Sequence, residues 1–541
     1  MTVIVGPPPE EISCDVCIVG TGPVGIALAL ECERHGLKVL ALEAGGTKSN
    51  WWERTNNARI QDPATHVALH RATRLAFGGT SWAWSGACVR FDDLDFQSRE
   101  YVPFSGWPIS HNDLAPFYQR AASILHCLPL ASSAQRPQWS TVETKQVCTP
   151  LQPRLARTYF AHFAKSERIT LCLRSPVIGL EFDEAGSRVS GVKIRTPAGS
   201  RRIGILRLAL AAGGLRSTQL LLASQRELPK HFGGSDGPLG RYYMGHLTGS
   251  IAAINFHDPA DAHRLRPRYV NGKGWAPWRF TPSGSRQLSE RILNTAFWPA
   301  APLLHDPAHA DGALSAAFLL LTFPVLNQWL AARDLSGSQM LAGRRIPHLK
   351  NIMREPLRTG VDVIRALVNK ARSKPSIETL VDRAQLCTYS LQYHAESEPN
   401  PDSRVTLRAV KDCLGLPRME IDLRFSDRDV ESVVRAHELI DEELQATGKG
   451  HLEYLIPRYE RMRRVREQAR DGYHQMGTTR MGQVEKYSVV DPNCRVHGVS
   501  NLFIASTSVF PTSGHANPTL LATALAVRLA EHLGEQFPRS P

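Results

Sequence analysis

The order of apolar and polar positions changes character near the start of the chain. Cys14-Asp-Val-Cys-Ile-Val-Gly20 is a short, nearly continuous apolar run, which predicts a buried strand. Apolar residues at helical spacing follow to about His35, Gly36 ends that helix, and Lys38-Val-Leu-Ala-Leu-Glu43 predicts the next strand. Further along, Ala316 to Phe323 and Thr388 to Tyr393 also predict strands, and Asp427 to Ala446 predicts a helix with acidic residues early. The most apolar stretch, Gly312 to Ala332, is interrupted by Pro324, Asn327 and Gln328. A membrane-spanning helix needs about 20 apolar residues, so this stretch predicts a buried strand followed by a turn, and no transmembrane segment is expected.

A second distinctive pattern runs from Arg344 to Lys374. It carries nine basic residues in all, against only Glu355 and Asp362. Pro347 and Pro356 argue against one continuous helix, and Pro356 suits the first position of a second helix. From there Leu357, Val361, Ile364 and Val368 form an apolar stripe at helical spacing. Such a segment suits a membrane or partner contact. Its commoner role is an insertion over an active-site entrance or a homo-oligomer contact.

A chain of 541 residues exceeds what one core usually serves, so two domains are expected. Hydrophobic residues at 42% and charged residues at 21% fit a globular protein rather than a disordered one. The formal charge of +13 would suit an anionic partner. With no nucleic-acid motif present, it reads as an Arg-rich enzyme with no nucleic-acid partner. The ten cysteines are scattered. Cys14 and Cys17 form a C-x-x-C, but on a strand, which lacks the helix N-terminus of a redox pair and the second pair of a zinc site. Unpaired cysteines and an N-terminus without signal-peptide features point to the cytoplasm.

The first turn carries the chemistry of the N-terminal unit. Gly20-Thr-Gly22-Pro23-Val24-Gly25 is a G-x-G-x-x-G between strand and helix. Gly20 allows the tight turn, Gly22 lets a pyrophosphate approach the backbone, and Gly25 lets helix and strand pack closely. The helix N-terminus offers free N–H groups to phosphates, and Glu43 ends the second strand where a carboxylate binds ribose hydroxyls. The unit predicts dinucleotide binding.

More motifs follow in order. They are Ala44-Gly45-Gly46, then Gly78-Gly79-Thr80-Ser81-Trp82-Ala83-Trp84, Ser105-Gly106-Trp107-Pro108, Tyr473-His474-Gln-Met-Gly477 and Gly514-His515-Ala-Asn517-Pro518-Thr519. Together with the first turn, this set resembles the glucose-methanol-choline (GMC) family of flavin oxidoreductases. The likeness runs from about residue 12 to 534 and fades between about 255 and 385. It implies FAD as the cofactor, with Gly78, Gly79, Thr80, Ser81 and Trp84 in the loop that passes the flavin. Val177 matches the residue whose backbone meets adenine, and Ala211 and Gly213 match the turn that completes the FAD domain. Ala44, Ser506, Pro518 and Thr519 complete the implied cofactor set. His474 matches the family's general base and Asn517 its partner, in the Asn form that resembles pyranose and cholesterol oxidases. His515 is a candidate substrate or supporting contact. Some relatives link the flavin to a His in the Gly78-Gly79 loop, but Ala83 stands there, so non-covalent FAD is expected. Ser506 stands where another branch has Asp, which weakens the cofactor contact at that turn.

The resemblance implies an α/β fold, α+β overall. A Rossmann-like FAD-binding domain is assembled from 12–125, 150–255 and 480–534. A substrate domain with a large antiparallel sheet and helices takes 126–149 and 256–479, with a basic helical insertion at about 344–374. It implies oxidation of a carbinol in a sugar, glycoside or cyclic polyol, with oxygen or another acceptor taking the electrons and no metal. A bulky apolar alcohol such as a sterol, or a hydroxynitrile-lyase-type reaction on the same scaffold, is the alternative.

Overall fold

Val16, Cys17 and Ile18 are fully buried, which explains why their run shows no polar alternation: they sit in the middle of a parallel sheet covered on both faces. The computed structural model describes residues 3–9, 12–48, 58–127, 139–150, 152–265, 268–270, 274–300, 307, 311–321, 345–371, 387–412 and 414–536. Its two large sheets use the strands β1 (Val3–Val5), β2 (Val16–Val19), β3 (Val39–Leu42), β4 (Val142–Gln146), β5 (Ile169–Leu173), β6 (Leu208–Leu210), β7 (Leu247–Phe256), β8 (Trp278–Pro282), β9 (Thr295–Pro299), β10 (Thr388–Ala395), β11 (Gly450–Tyr454) and β12 (Leu502–Ile504). The helices that matter to the argument are α1 (Pro23–Arg34), α2 (Gly214–Glu227), α3 (Gly312–Leu321), α4 (Arg345–Arg354), α5 (Pro356–Ala371), α6 (Asp427–Ala446) and α7 (Thr519–Glu535).

The first sheet has the order β1-β5-β3-β2-β6-β12 and is parallel throughout. The chain leaves β2 toward β3 on one side and returns as β6 on the other, so the strand order reverses between β2 and β6. Helices α1 and α7 pack against one another beside this sheet, so the last helix of the chain completes a unit begun by the first. The second sheet, β11-β7-β10-β9-β8-β4, is antiparallel. Its core joins Ile251, Phe280, Phe297 and Tyr393 to Val430, Val433 and Ile440 of α6. That helix starts on a capping box, with Ser426 Oγ accepting from the Asp429 N–H at 3.2 Å and Asp429 Oδ2 from the Ser426 N–H at 2.8 Å.

Several expectations need correction. Ala316 to Leu321 is not a strand but part of α3, and residues 322–332 of the same apolar stretch lie outside the described residues. The run contains Ala and Leu and no β-branched residue, which favours helix; an unbroken apolar run alone does not separate the two. Strand β7 belongs to the antiparallel sheet, so residues 247–255 leave the nucleotide-binding unit earlier than the sequence suggested. The hairpin Arg404–Lys411/Pro417–Asp422 pairs with Arg59–Ile60 and shares a small core with Leu215 of α2, although it falls inside the expected substrate range. Pro347 does not break α4, because it occupies the third position of that helix, where the N–H has no intrahelical partner to lose.

Candidate functional site

The carboxyl ends of β2, β3 and β6 open on a cleft. This is where open α/β sheets bind ligands, at the point of strand-order reversal. Three helices begin on its wall: α1 behind Gly22, α2 behind Gly213 and α7 behind Pro518. None has a side-chain cap. Uncapped N-termini present unpaired N–H groups and the positive ends of helix dipoles. Among the described residues, only at α2 does a side chain partly fill the role, with the Leu215 N–H donating to Gln475 Oε1 at 3.2 Å. Three such ends around one cleft suit an anion with more than one phosphate.

The glycines divide the work. A Cβ on Gly25 would lie 2.0 Å from the Gly20 carbonyl oxygen, so this position serves helix–strand contact. A Cβ on Gly22 would meet nothing within 4 Å, and Gly22 lines the cleft, so its bareness leaves space for a ligand. Gly20, Pro23, Val24, Glu43, Ala44, Gly79, Thr80, Val177, Ala211, Gly213, Ser506, Pro518 and Thr519 also line the cleft. Glu43 is buried, and its carboxylate accepts from the Thr21 N–H (3.0 Å), the Thr21 hydroxyl (2.6 Å) and the Gly45 N–H (2.9 Å). Three other expected residues brace the loop instead. Gly78 holds a left-handed turn at φ 91°, Ser81 donates to its carbonyl at 2.6 Å, and Trp84 Nε1 donates to the Pro153 carbonyl at 2.7 Å. Burial pushes the Cys14 thiol up to about 11, with Asp15 adding to the effect, and Cys17 is buried in β2, as a strand position requires.

A cluster of ionisable side chains meets the cleft at His474. That residue is partly exposed, and Tyr473 stands beside it. The turn that carries both is wound around Asp471, whose Oδ1 accepts from the N–H groups of Tyr473 (2.8 Å) and His474 (3.3 Å). Its Oδ2 accepts from the His246 N–H at 2.7 Å and lies 3.4 Å from His474 Nδ1. Nδ1 of His474 and Nδ1 of His246 are 2.8 Å apart. The two segments meet because the chain just before β7 and the stretch after Asp471 pair through a bridge between Met244 and Met476. Burial opposes charge on Asp471, but His474 and His246 outweigh it and hold the carboxyl well below the usual range. Burial pushes His246 down to about 4 against the pull of Asp471, so that ring is neutral at pH 7.

Behind this group lies a buried polar frame. His394 stacks on His246 with ring centroids 4.1 Å apart, and its Nδ1 donates to the His515 carbonyl at 2.6 Å. Burial, with His246, Arg279 and His474, holds His394 well below its ordinary value. His515 is fully buried, its Nε2 3.2 Å from Asp92 Oδ2, and Asp92 also meets Lys145. Arg99 and Glu396 form a buried bidentate pair at 2.8 and 2.5 Å, and Asn294 joins Glu396 to Asp92 and Asp95. Asn517 sits at the mouth of α7, with Oδ1 buried and without a hydrogen-bond partner.

His246, Asp471, His394, Asp92 and Lys145 were not singled out by the sequence. Asp471 alone had a local signal, three residues before His474. The imidazoles of His246, His394 and His474 place ligand atoms within 4.8 Å of one another. The 2.8 Å between His246 and His474 is hydrogen-bond length, shorter than the roughly 3.3 Å that separates imidazole nitrogens on one tetrahedral ion with bonds near 2.0–2.1 Å.

The chain is similar to known proteins over nearly its whole length. Residues 399–526 match the family described as GMC oxidoreductase. The chain is 36% identical to an oxygen-dependent choline dehydrogenase of Sinorhizobium fredii, covering 97% of this chain and 96% of that one. It is 22% identical to the large subunit of fructose dehydrogenase of Gluconobacter japonicus, covering 96% and 98%. Among solved structures it resembles pyridoxine 4-oxidase from Mesorbium loti, with a TM-score of 0.53 and 17% identity over 96% and 99% of the two chains.

Proposed function

The chain belongs to the GMC oxidoreductase family, FAD-binding enzymes that act on alcohol CH–OH groups, and we propose from that premise that it oxidises a carbinol of a sugar, glycoside or cyclic polyol, with His474 as the base. The observation that carries the reading is that His474 lines the same cleft on which three uncapped helix N-termini open. Gly22, Gly213 and Pro518 would hold the pyrophosphate of FAD, and Glu43 the ribose. Bound there, FAD supplies the hydride acceptor. No nucleophilic side chain stands at Ala83, so the cofactor is held without a covalent link at this position.

The protein's own part is proton control and placement. Asp471 beside His474 Nδ1 favours a proton on that nitrogen, where it is donated to neutral His246. Nε2 of His474 then keeps a lone pair and takes the hydroxyl proton as hydride leaves the carbon. The Asn517 amide donates to the oxygen and holds it as negative charge develops. His515 supports the site through its carbonyl, which fixes His394 behind His246.

The test is an anaerobic screen of sugars, glycosides, polyols and sterols for flavin bleaching. A sugar or polyol that bleaches the flavin in native protein and not in His474→Ala supports the reading. Bleaching by sterols alone sinks the substrate class, and equal bleaching in both proteins sinks the base.

A further inference from the structure

Helices α4 and α5 face the wrong way for a water-exposed surface. In α5, Thr359, Asp362 and Ala366 are buried on the side that packs against α3, while Leu357, Val361, Ile364 and Val368 stand exposed, Leu357 at 87%. α4 repeats the arrangement. His348 is buried, stacked on Phe318 at 4.4 Å, and Asn351 donates to the Pro307 carbonyl at 2.9 Å. Ile346, Leu349 and Met353 point outward. A helix against water normally buries its large apolar residues and exposes its polar ones. Here the inward face is small or polar and the outward face is apolar over both helices. Single exposed apolar residues are ordinary; a continuous stripe marks a contact surface. Among the described residues nothing covers it.

Charge selects the partner. Leu349, Met353, Leu357 and Ile364 are each followed by a cation: Lys350, Arg354, Arg358 and Arg365. One step along a helix is about 100° of turn, so the cations line one border of the stripe. Within these two helices Glu355 and Asp362 oppose them, at 2.8 Å from Arg358 and 3.9 Å from Arg365, and Asp311 of the neighbouring segment also acts on Arg358. An apolar face with a cationic margin fits the interface of a bilayer that contains anionic lipids. The geometry points to α4 and α5 lying flat on such a membrane, apolar stripe among the acyl chains and cations at the phosphates. Spanning is excluded for these two, since α5 at about 24 Å is shorter than the roughly 30 Å core and keeps one face on α3.

The test uses purified holoenzyme in flotation with vesicles of phosphatidylcholine alone and of phosphatidylcholine with phosphatidylglycerol. The protein is expected to float with the anionic vesicles, more weakly with neutral ones, and less as salt rises. Leu357→Glu with Ile364→Glu should lower the bound fraction at least tenfold, on the order expected from losing two apolar anchors, while flavin content and turnover of a water-soluble alcohol stay native. Arg354→Glu with Arg358→Glu should remove the preference for anionic lipid. Failure of the native protein to float with anionic vesicles at low salt overturns the proposal. So does light scattering that shows an oligomer dissolved by the same substitutions, which would make a second copy the occupant.

Discussion

Two parts of the site solve different problems with different materials. In the nucleotide part the contacts come from main chain: three helix N-termini, a bare Gly22 and the turn at Gly20, with Glu43 the one carboxylate. Around His474, which lines the same cleft, the material is side chains that titrate, with His246, His394 and Asp471 buried behind it. A backbone cradle holds its shape over a wide pH range and is disturbed mainly by added bulk. A cluster of buried imidazoles is disturbed by loss of a single atom or gain of a single proton. Each part can therefore be broken without breaking the other.

The largest effect expected is at His474. His474→Ala should slow anaerobic flavin reduction about 10²–10⁴-fold, the worth of a positioned general base, with flavin content unchanged. Stopped-flow absorbance reads the first and the protein-to-flavin ratio the second; a parallel loss of both would merge the two parts into one. Asn517→Ala comes next, at about 10²–10³-fold in the same measurement, the worth of one donor to a developing oxyanion.

Gly22→Val sharpens the comparison from the other side. A Cβ at this position meets no protein atom within 4 Å, and a side chain there points into the cleft left for the cofactor. Overpacking of this kind costs about 1–3 kcal/mol, which weakens FAD binding roughly 10–100-fold. The melting temperature of the FAD-free form should stay native. Fluorescence titration of released flavin tests the affinity, and unfolding of the apoprotein would show that Gly22 serves packing after all.

The effect smallest at pH 7 is on acid stability. His246 and His437 are pushed down to about 4 by burial, so they bind protons when unfolded near 6.5 but not when folded. Stability is therefore lost as pH falls from about 6.5 to about 4, on the order of 3 kcal/mol for each ring. Asp471 does not act in this window. Its folded value is depressed, so its contribution is present above about 3.9 and is lost only in stronger acid. Thermal unfolding at pH 7 and pH 4.5 checks this, and an unchanged midpoint would mean these rings are not held neutral.

The same contrast governs what the sequence makes legible. The Gly20–Gly25 turn, α1 and β3 follow one another within thirty residues, and each carries a local signature of apolar period, glycine placement and terminal carboxylate. His474 and Asn517 were found through motif resemblance. His246 and Asp471 were not, because the hydrogen bond between them joins positions 225 apart in the chain and His246 has no signature of its own. The misreading of α3 has a simpler cause. An apolar run has no period to distinguish helix from strand, and what remains to decide the outcome is its lack of β-branched residues and the helices α4 and α5 that pack on it.

The position of β12 at the edge of the parallel sheet has a consequence during synthesis. β6 is made early, yet its outer neighbour β12 is the last strand of the chain. At roughly 5–20 residues per second, the stretch from Leu210 to Leu502 takes about 15–60 s to emerge from the ribosome. Throughout that time β6 presents Leu208, Ala209 and Leu210 as an open, apolar strand edge, a template for pairing with other nascent chains. Protection of that edge by chaperones until β12 and α7 arrive is then a condition of yield, and slowing translation lengthens the exposure.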